Sequence, residues 1–114
     1  MAIAEFFAGT QSVSTTEWSL ATDAAGPTAQ TTDGVFQLFI DANAVTGSDL
    51  FQLRLYEKAQ SSDTQRVAGE WWIGKTGTPV IVLPAMVLIN GWDFTLLKVT
   101  GTDRTITWSI RQLS

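Results

Sequence analysis

Apolar side chains recur at every second position along most of this chain, and no stretch fits the i, i+3, i+4, i+7 spacing of a helix face better. In Arg104-Thr105-Ile106-Thr107-Trp108-Ser109-Ile110-Arg111 the alternation is unbroken, so Ile106, Trp108 and Ile110 share one face of a strand and the hydroxyl and cationic side chains share the other. The stretch Leu50 to Tyr56 repeats the pattern, with Phe51, Leu53 and Leu55 inward and Gln52 and Arg54 outward. Val35 to Ile40 is mostly apolar on both faces, as expected of a central strand. Further strands are predicted over Gln11 to Leu20, Gln65 to Ile73, Val80 to Ile89 and Trp92 to Val99.

Turn signals separate these runs: Asp33-Gly34, Thr46-Gly47-Ser48, Ser61-Ser62-Asp63, Gly74 to Gly77, Asn90-Gly91 and Gly101-Thr102-Asp103. Asn90-Gly91 between two apolar runs predicts a two-residue hairpin, because a type I′ turn needs positive φ at both central residues. Pro84 has no N–H for a ladder and predicts that Val80 to Leu88 is two strands or one bulged edge strand. The small, polar stretch Ala21 to Thr32 predicts a long surface loop. Together these signals predict an all-β chain, folded over residues 1–114 as one antiparallel β-sandwich of about seven or eight strands, the jelly roll being one arrangement of that kind.

Composition narrows the chemistry. The chain has no histidine and no cysteine, which removes most nucleophile–base pairs and the soft-metal ligands, so no cofactor and no metal are expected. A formal net charge of −4 with seven scattered basic residues argues against nucleic acid as a partner. The apolar run Met1 to Ala8 carries Glu5 but no cation and is too short to span a bilayer, so the reading includes no secretory signal, no membrane partner and synthesis in a cytoplasm. Charged residues make up only 16%, leaving a surface rich in Thr, Ser and Gln that suits packing against other proteins.

Two carboxylate constellations merit a test. Glu57 and Glu70 lie on the arms of an expected hairpin and would form a glycosidase pair if they faced one another; the alternative is solvated charge on an outer face. Asp41, Asn43 and Asp49 offer clustered oxygens to a hard cation, yet Val45 and Thr46 stand where an EF-hand needs a ligand and a glycine, and Asx-turn chemistry is the simpler account. The triplet Gly74-Lys75-Thr76 lacks the glycine spacing of a phosphate loop and reads as a turn. Five tryptophans are many for 114 residues. Adjacent side chains on a strand point to opposite faces, so one of Trp71 and Trp72 enters the core and the other meets solvent, ligand or another subunit.

The stretch Asp49-Leu50-Phe51-Gln52-Leu53-Arg54-Leu55-Tyr56-Glu57-Lys58, followed by Asp63-Thr64-Gln65-Arg66 and by Gly91-Trp92-Asp93-Phe94-Thr95-Leu96, resembles small proteins found among tailed-bacteriophage virion genes. The resemblance covers roughly residues 35–113 and implies a structural component of the particle such as a head-decorating or cement protein, with no active-site residue attached. The expectation is then a non-enzymatic virion protein assembled in the host cytoplasm, acting as a homo-oligomer, a trimer being favoured, and bound to the major capsid protein or another virion protein. Its contact candidates are Ile3, Phe6 and Phe7, on residues 1–9 as a partner-binding arm, together with Trp71 and Trp72. The competing expectation is a carbohydrate-binding β-sandwich with a platform of exposed tryptophans.

Overall fold

The computed structural model describes residues 3–75 and 79–113, and among them there is no helix. The strands are β1 (Ile3–Val13), β2 (Trp18–Ser19), β3 (Ala24–Ala25), β4 (Gly34–Asp41), β5 (Leu50–Glu57), β6 (Arg66–Ile73), β7 (Val80–Val82), β8 (Met86–Leu88), β9 (Asp93–Thr100) and β10 (Arg104–Leu113). They form two antiparallel sheets packed as a sandwich. The first runs β1-β10-β4-β7, with β8 also on β4, and the second runs β3-β2-β9-β5-β6.

The pairing is nested. Both β7 and β8 lie on β4 as one interrupted strand, and β3 is a two-residue flap on β2. Otherwise β1 pairs with β10, β2 with β9, β4 with β7/β8 and β5 with β6, so each strand meets the one equally far from the other end of the chain. A long hairpin rolled up in this way is a jelly roll.

Alternation determines what the two sheets enclose. Phe36, Leu38 and Ile40 of β4 and Ile106, Trp108 and Ile110 of β10 meet Phe51, Leu53, Phe94 and Leu96 of the second sheet in one core. Buried indoles keep their N–H groups satisfied by main-chain oxygens, Trp108 on Leu20 and Trp92 on Thr32, each at 2.8 Å. Glycine makes room for aromatic rings at two places. Gly9 lies opposite Trp108 and Gly69 lies under Trp71, where an added methyl would stand 2.6 Å and 2.9 Å from the respective rings.

Several sequence expectations change. Asn90-Gly91 is not a hairpin: β8 belongs to the first sheet and β9 to the second, and only Gly91 is left-handed, at φ +57°. The crossing is held instead by the Glu57 carboxylate, which accepts from the Ile89 and Asn90 N–H groups. The strand expected from Gln11 to Leu20 starts earlier and stops at Val13, where the chain crosses to the second sheet. Pro84 does divide its run, and β7 and β8 flank the break on an edge. The turn at Gly74 to Gly77 lies partly outside the described residues.

Candidate interaction surface

The outward side chains of the first sheet are placed by register. Ile3 lies opposite Leu113, Leu113 opposite Val35, and Val35 opposite Val87, so four aliphatic side chains form one row across β1, β10, β4 and β8. Phe36, the neighbour of Val35, is fully buried, which puts this row on the outer face. Its two ends stand well out of the surface, Ile3 at 71% exposure and Val87 at 77%. Further along, Phe39 lies opposite Val82, and Val80 opposite Asp41. The Arg111 guanidinium lies 3.6 Å from the Phe39 ring centroid, a cation–π contact that covers part of the gap between the apolar positions. Between them is a shallow hollow of about 200 Å³, with Ile3, Val35, Phe39, Ala85 and Leu113 on its walls.

The outer face of the second sheet is polar around Glu17, where the chain itself occupies it, and carries the exposed Trp72 beside Gln52. Glu17 accepts hydrogen bonds from the Tyr56 and Thr95 hydroxyls and from Arg54, while Arg54 also donates to Gln52, whose amide donates to Glu70. Gln52 is therefore buried although its strand position faces outward. Nearby, Asp93 is fully buried and takes hydrogen bonds from the Ser19 hydroxyl and from both the N–H and the hydroxyl of Thr28. Burial pushes its carboxyl above the usual range, and those donors pull the other way. Since Thr28 belongs to the loop Ala21 to Thr32, Asp93 is the anchor that holds the loop down, with help from the Gln65 amide on Thr28 and Gly91 oxygens.

The candidate acid pair does not form. Glu57 lies opposite Arg66 and Glu70 opposite Arg54, and their carboxylates serve separate contacts, the Ile89–Asn90 crossing and the Gln52 amide. The oxygens of the 41–49 stretch also diverge. Asp41 caps the N–H of Asn43 in an Asx turn, whereas Asp49 accepts from the Thr46 and Thr102 N–H groups and from Arg104 at 2.6 Å. The Thr102 N–H above all, then Arg104 and the Thr46 N–H, holds the Asp49 carboxyl down at about 2. No cluster of three or more potential metal ligands occurs among the described residues.

The contact candidates separate. Trp71 packs against the core while Trp72 points outward at 59% exposure, as the period-two argument requires. Trp72 is the sole aromatic among the exposed large apolar side chains of the described residues. Phe6 is half-buried: it is the extra residue of a bulge between Glu5 and Phe7, and its ring packs on Phe36 and Trp92 with centroids 5.3 and 5.7 Å away. Phe7 is half-buried, and Ile3 is free. Residues 3–9, expected as an arm, lie along the sheet edge inside β1. Val35, Val87 and Leu113 were not singled out from sequence, since only register across four strands brings them together. No family model, curated protein or solved structure matches this chain.

Proposed function

We propose that this chain is a non-enzymatic structural protein of a tailed-phage virion that decorates and stabilises the capsid as a homo-oligomer, docking through the outer face of the first sheet. The row Ile3–Leu113–Val35–Val87, exposed at its Ile3 and Val87 ends and half-buried between them, carries the reading. An aliphatic row uncovered among the described residues, opposite a face whose polar centre the chain's own loop covers, fits a surface built to meet another protein. The virion assignment draws on the residue resemblance, and the jelly roll supports it only by analogy, because that fold serves capsid proteins and lectins alike.

Co-sedimentation with purified heads of the source phage tests the reading. The unsubstituted chain is expected to pellet with the heads, and Val87→Asp combined with Ile3→Asp is expected to reduce retention at least tenfold; no retention of the unsubstituted chain refutes the proposal. The carbohydrate alternative needs two or more coplanar exposed aromatics, whereas Trp72 stands alone. Glycan-array binding abolished by Trp72→Ala and untouched by Val87→Asp would transfer the function to sugar recognition.

A further inference from the structure

The four sheet edges are protected unequally. The edge formed by β7 and β8 consists of two three-residue strands split by Pro84, and β3 is only two residues long. Edge strand β6 carries Arg66 and Glu70 and is broken by a bulge opposite Leu55 and Tyr56. Short strands, proline, charge and bulges are the devices that stop a sheet from recruiting another strand. Strand β1 has eleven residues, no proline, no Lys or Arg and a single acid, Glu5. Its one bulge, at Phe6, lies near the start, and from Phe7 to Val13 it runs in unbroken register on β10. Among the described residues nothing pairs with its other edge.

From this we infer that β1 is an interaction edge whose partner is β1 of a second copy, the two strands pairing antiparallel about a twofold axis at Thr10. The segment Phe7-Ala8-Gly9-Thr10-Gln11-Ser12-Val13 is compatible with itself in that arrangement. Thr10 meets Thr10, Ala8 meets Ser12, Gly9 meets Gln11 and Phe7 meets Val13, with no charge anywhere in the seven positions. The outward side chains Ala8, Thr10 and Ser12 are small and exposed, so nothing bulky obstructs a neighbouring backbone. Glu5 lies outside the paired segment, with its carboxylate already accepting from the Ser109 hydroxyl at 2.7 Å. Pairing takes the open N–H and C=O groups of β1 into a ladder and joins two five-stranded sheets into one of ten. The aliphatic rows of both copies then lie on one continuous surface, which adds avidity to any docking there. A contact of this symmetry closes with two copies, so the unit is a dimer rather than the trimer expected from sequence. The inference does not depend on the virion reading, and its test reads self-association alone.

Light scattering of the purified full-length chain across a concentration series is the test. The expected mass approaches twice 12.4 kDa at high concentration and falls toward 12.4 kDa on dilution. Thr10→Lys places two ammonium groups at the axis and is expected to leave a monomer, and Thr10→Glu does the same with carboxylates. Mixing the two variants one to one is expected to restore the doubled mass, a rescue that a defect in folding would not produce. Trp72→Ala and Val87→Asp are expected to keep the dimer. A chain that stays monomeric up to roughly 1 mM, a trimer mass, or a dimer indifferent to Thr10→Lys overturns the inference. If the Thr10 variants do not fold, amide hydrogen exchange on the unsubstituted chain decides: alternate amides from Phe7 to Val13 gain protection with concentration if β1 pairs, and unchanged protection overturns the inference.

Discussion

Gly9→Ala tests the packing logic of the sandwich at its tightest point. Gly9 lies directly opposite Trp108 in the β1–β10 ladder, and an added methyl would stand 2.6 Å from the indole Cζ2 and 3.0 Å from Cε2. Both distances fall well inside the roughly 3.5–4.0 Å at which carbon atoms attract. The ring has nowhere to go, because it is 2% exposed and its N–H donates to the Leu20 oxygen. Two effects compete. Replacing glycine by alanine restricts the unfolded chain and stabilises by about 0.4–1 kcal/mol where the backbone permits it. Forcing a methyl into a packed core costs about 1–3 kcal/mol. The second effect wins, and the net loss of about 1–2 kcal/mol should lower Tm by roughly 3–8 °C for a domain of this size. Calorimetry or near-ultraviolet circular dichroism measures it. If the ring is the cause, the double variant Gly9→Ala/Trp108→Phe should lose less than the sum of the single losses by at least about 0.5 kcal/mol. A Tm equal to or above that of the parent refutes the argument.

Three further outcomes are expected. Asp49 titrates at about 2 in the folded chain against an ordinary 3.8, so its contribution is complete above about pH 4 and is lost as pH falls through about 2; Asp49→Asn should be less stable at pH 7, with the gap closing in acid urea titrations, and a gap that stays constant would exclude this role. Asp93 is shifted upward by burial, so its ionised form costs stability that appears as pH rises through the raised value. Asp93→Asn, which keeps an acceptor for the Thr28 N–H, should therefore gain on the parent between acid and neutral pH, whereas Asp93→Ala should lose about 2 kcal/mol by orphaning the Thr28 and Ser19 donors; equal urea midpoints for the two would contradict it. Phe6→Ala should cost about 2 kcal/mol and Ile3→Ala under about 0.5, since one ring packs on Phe36 and Trp92 and the other side chain stands in solvent; matching melts would return Phe6 to the surface.

The legible features were those with a local cause. Period two assigned Ile106, Trp108 and Ile110 to the core, separated Trp71 from Trp72, and the missing N–H of Pro84 divided its run. The features that failed depend on partners distant in the chain. Asn90-Gly91 looks like a hairpin because the dipeptide reports only that the chain turns, not that Trp92 must enter the core and carry β9 into the other sheet. Gln52 reads as exposed until Arg54 and Glu70 engage its amide, and Arg54 is in turn tied to Glu17, far away in sequence. Phe6 reads as a free aromatic because the bulge that turns it inward is a property of the β1–β10 pair.

The unequal treatment of the two outer faces follows from the winding. The connection between β1 and β4 has to cross from the first sheet to the second and back, and on its way it lays Glu17 on Arg54, Tyr56 and Thr95 and Thr28 on Asp93. The polar outward positions of β5 and β9 are what make that covering stable, since each buried polar atom there finds a partner. Among the described residues the opposite face has no such segment: β7 and β8 are joined by three residues on the edge, and β9 of the second sheet leads by a short crossing into β10 of the first. The exposed aliphatic residues Ile3 and Val87 are the wrong side chains for a solvated face and the right ones for a face that another surface covers. Because the same winding leaves β1 outermost in the first sheet, the bare face and the unprotected edge belong to one sheet, and a partner that engages either is brought alongside the other.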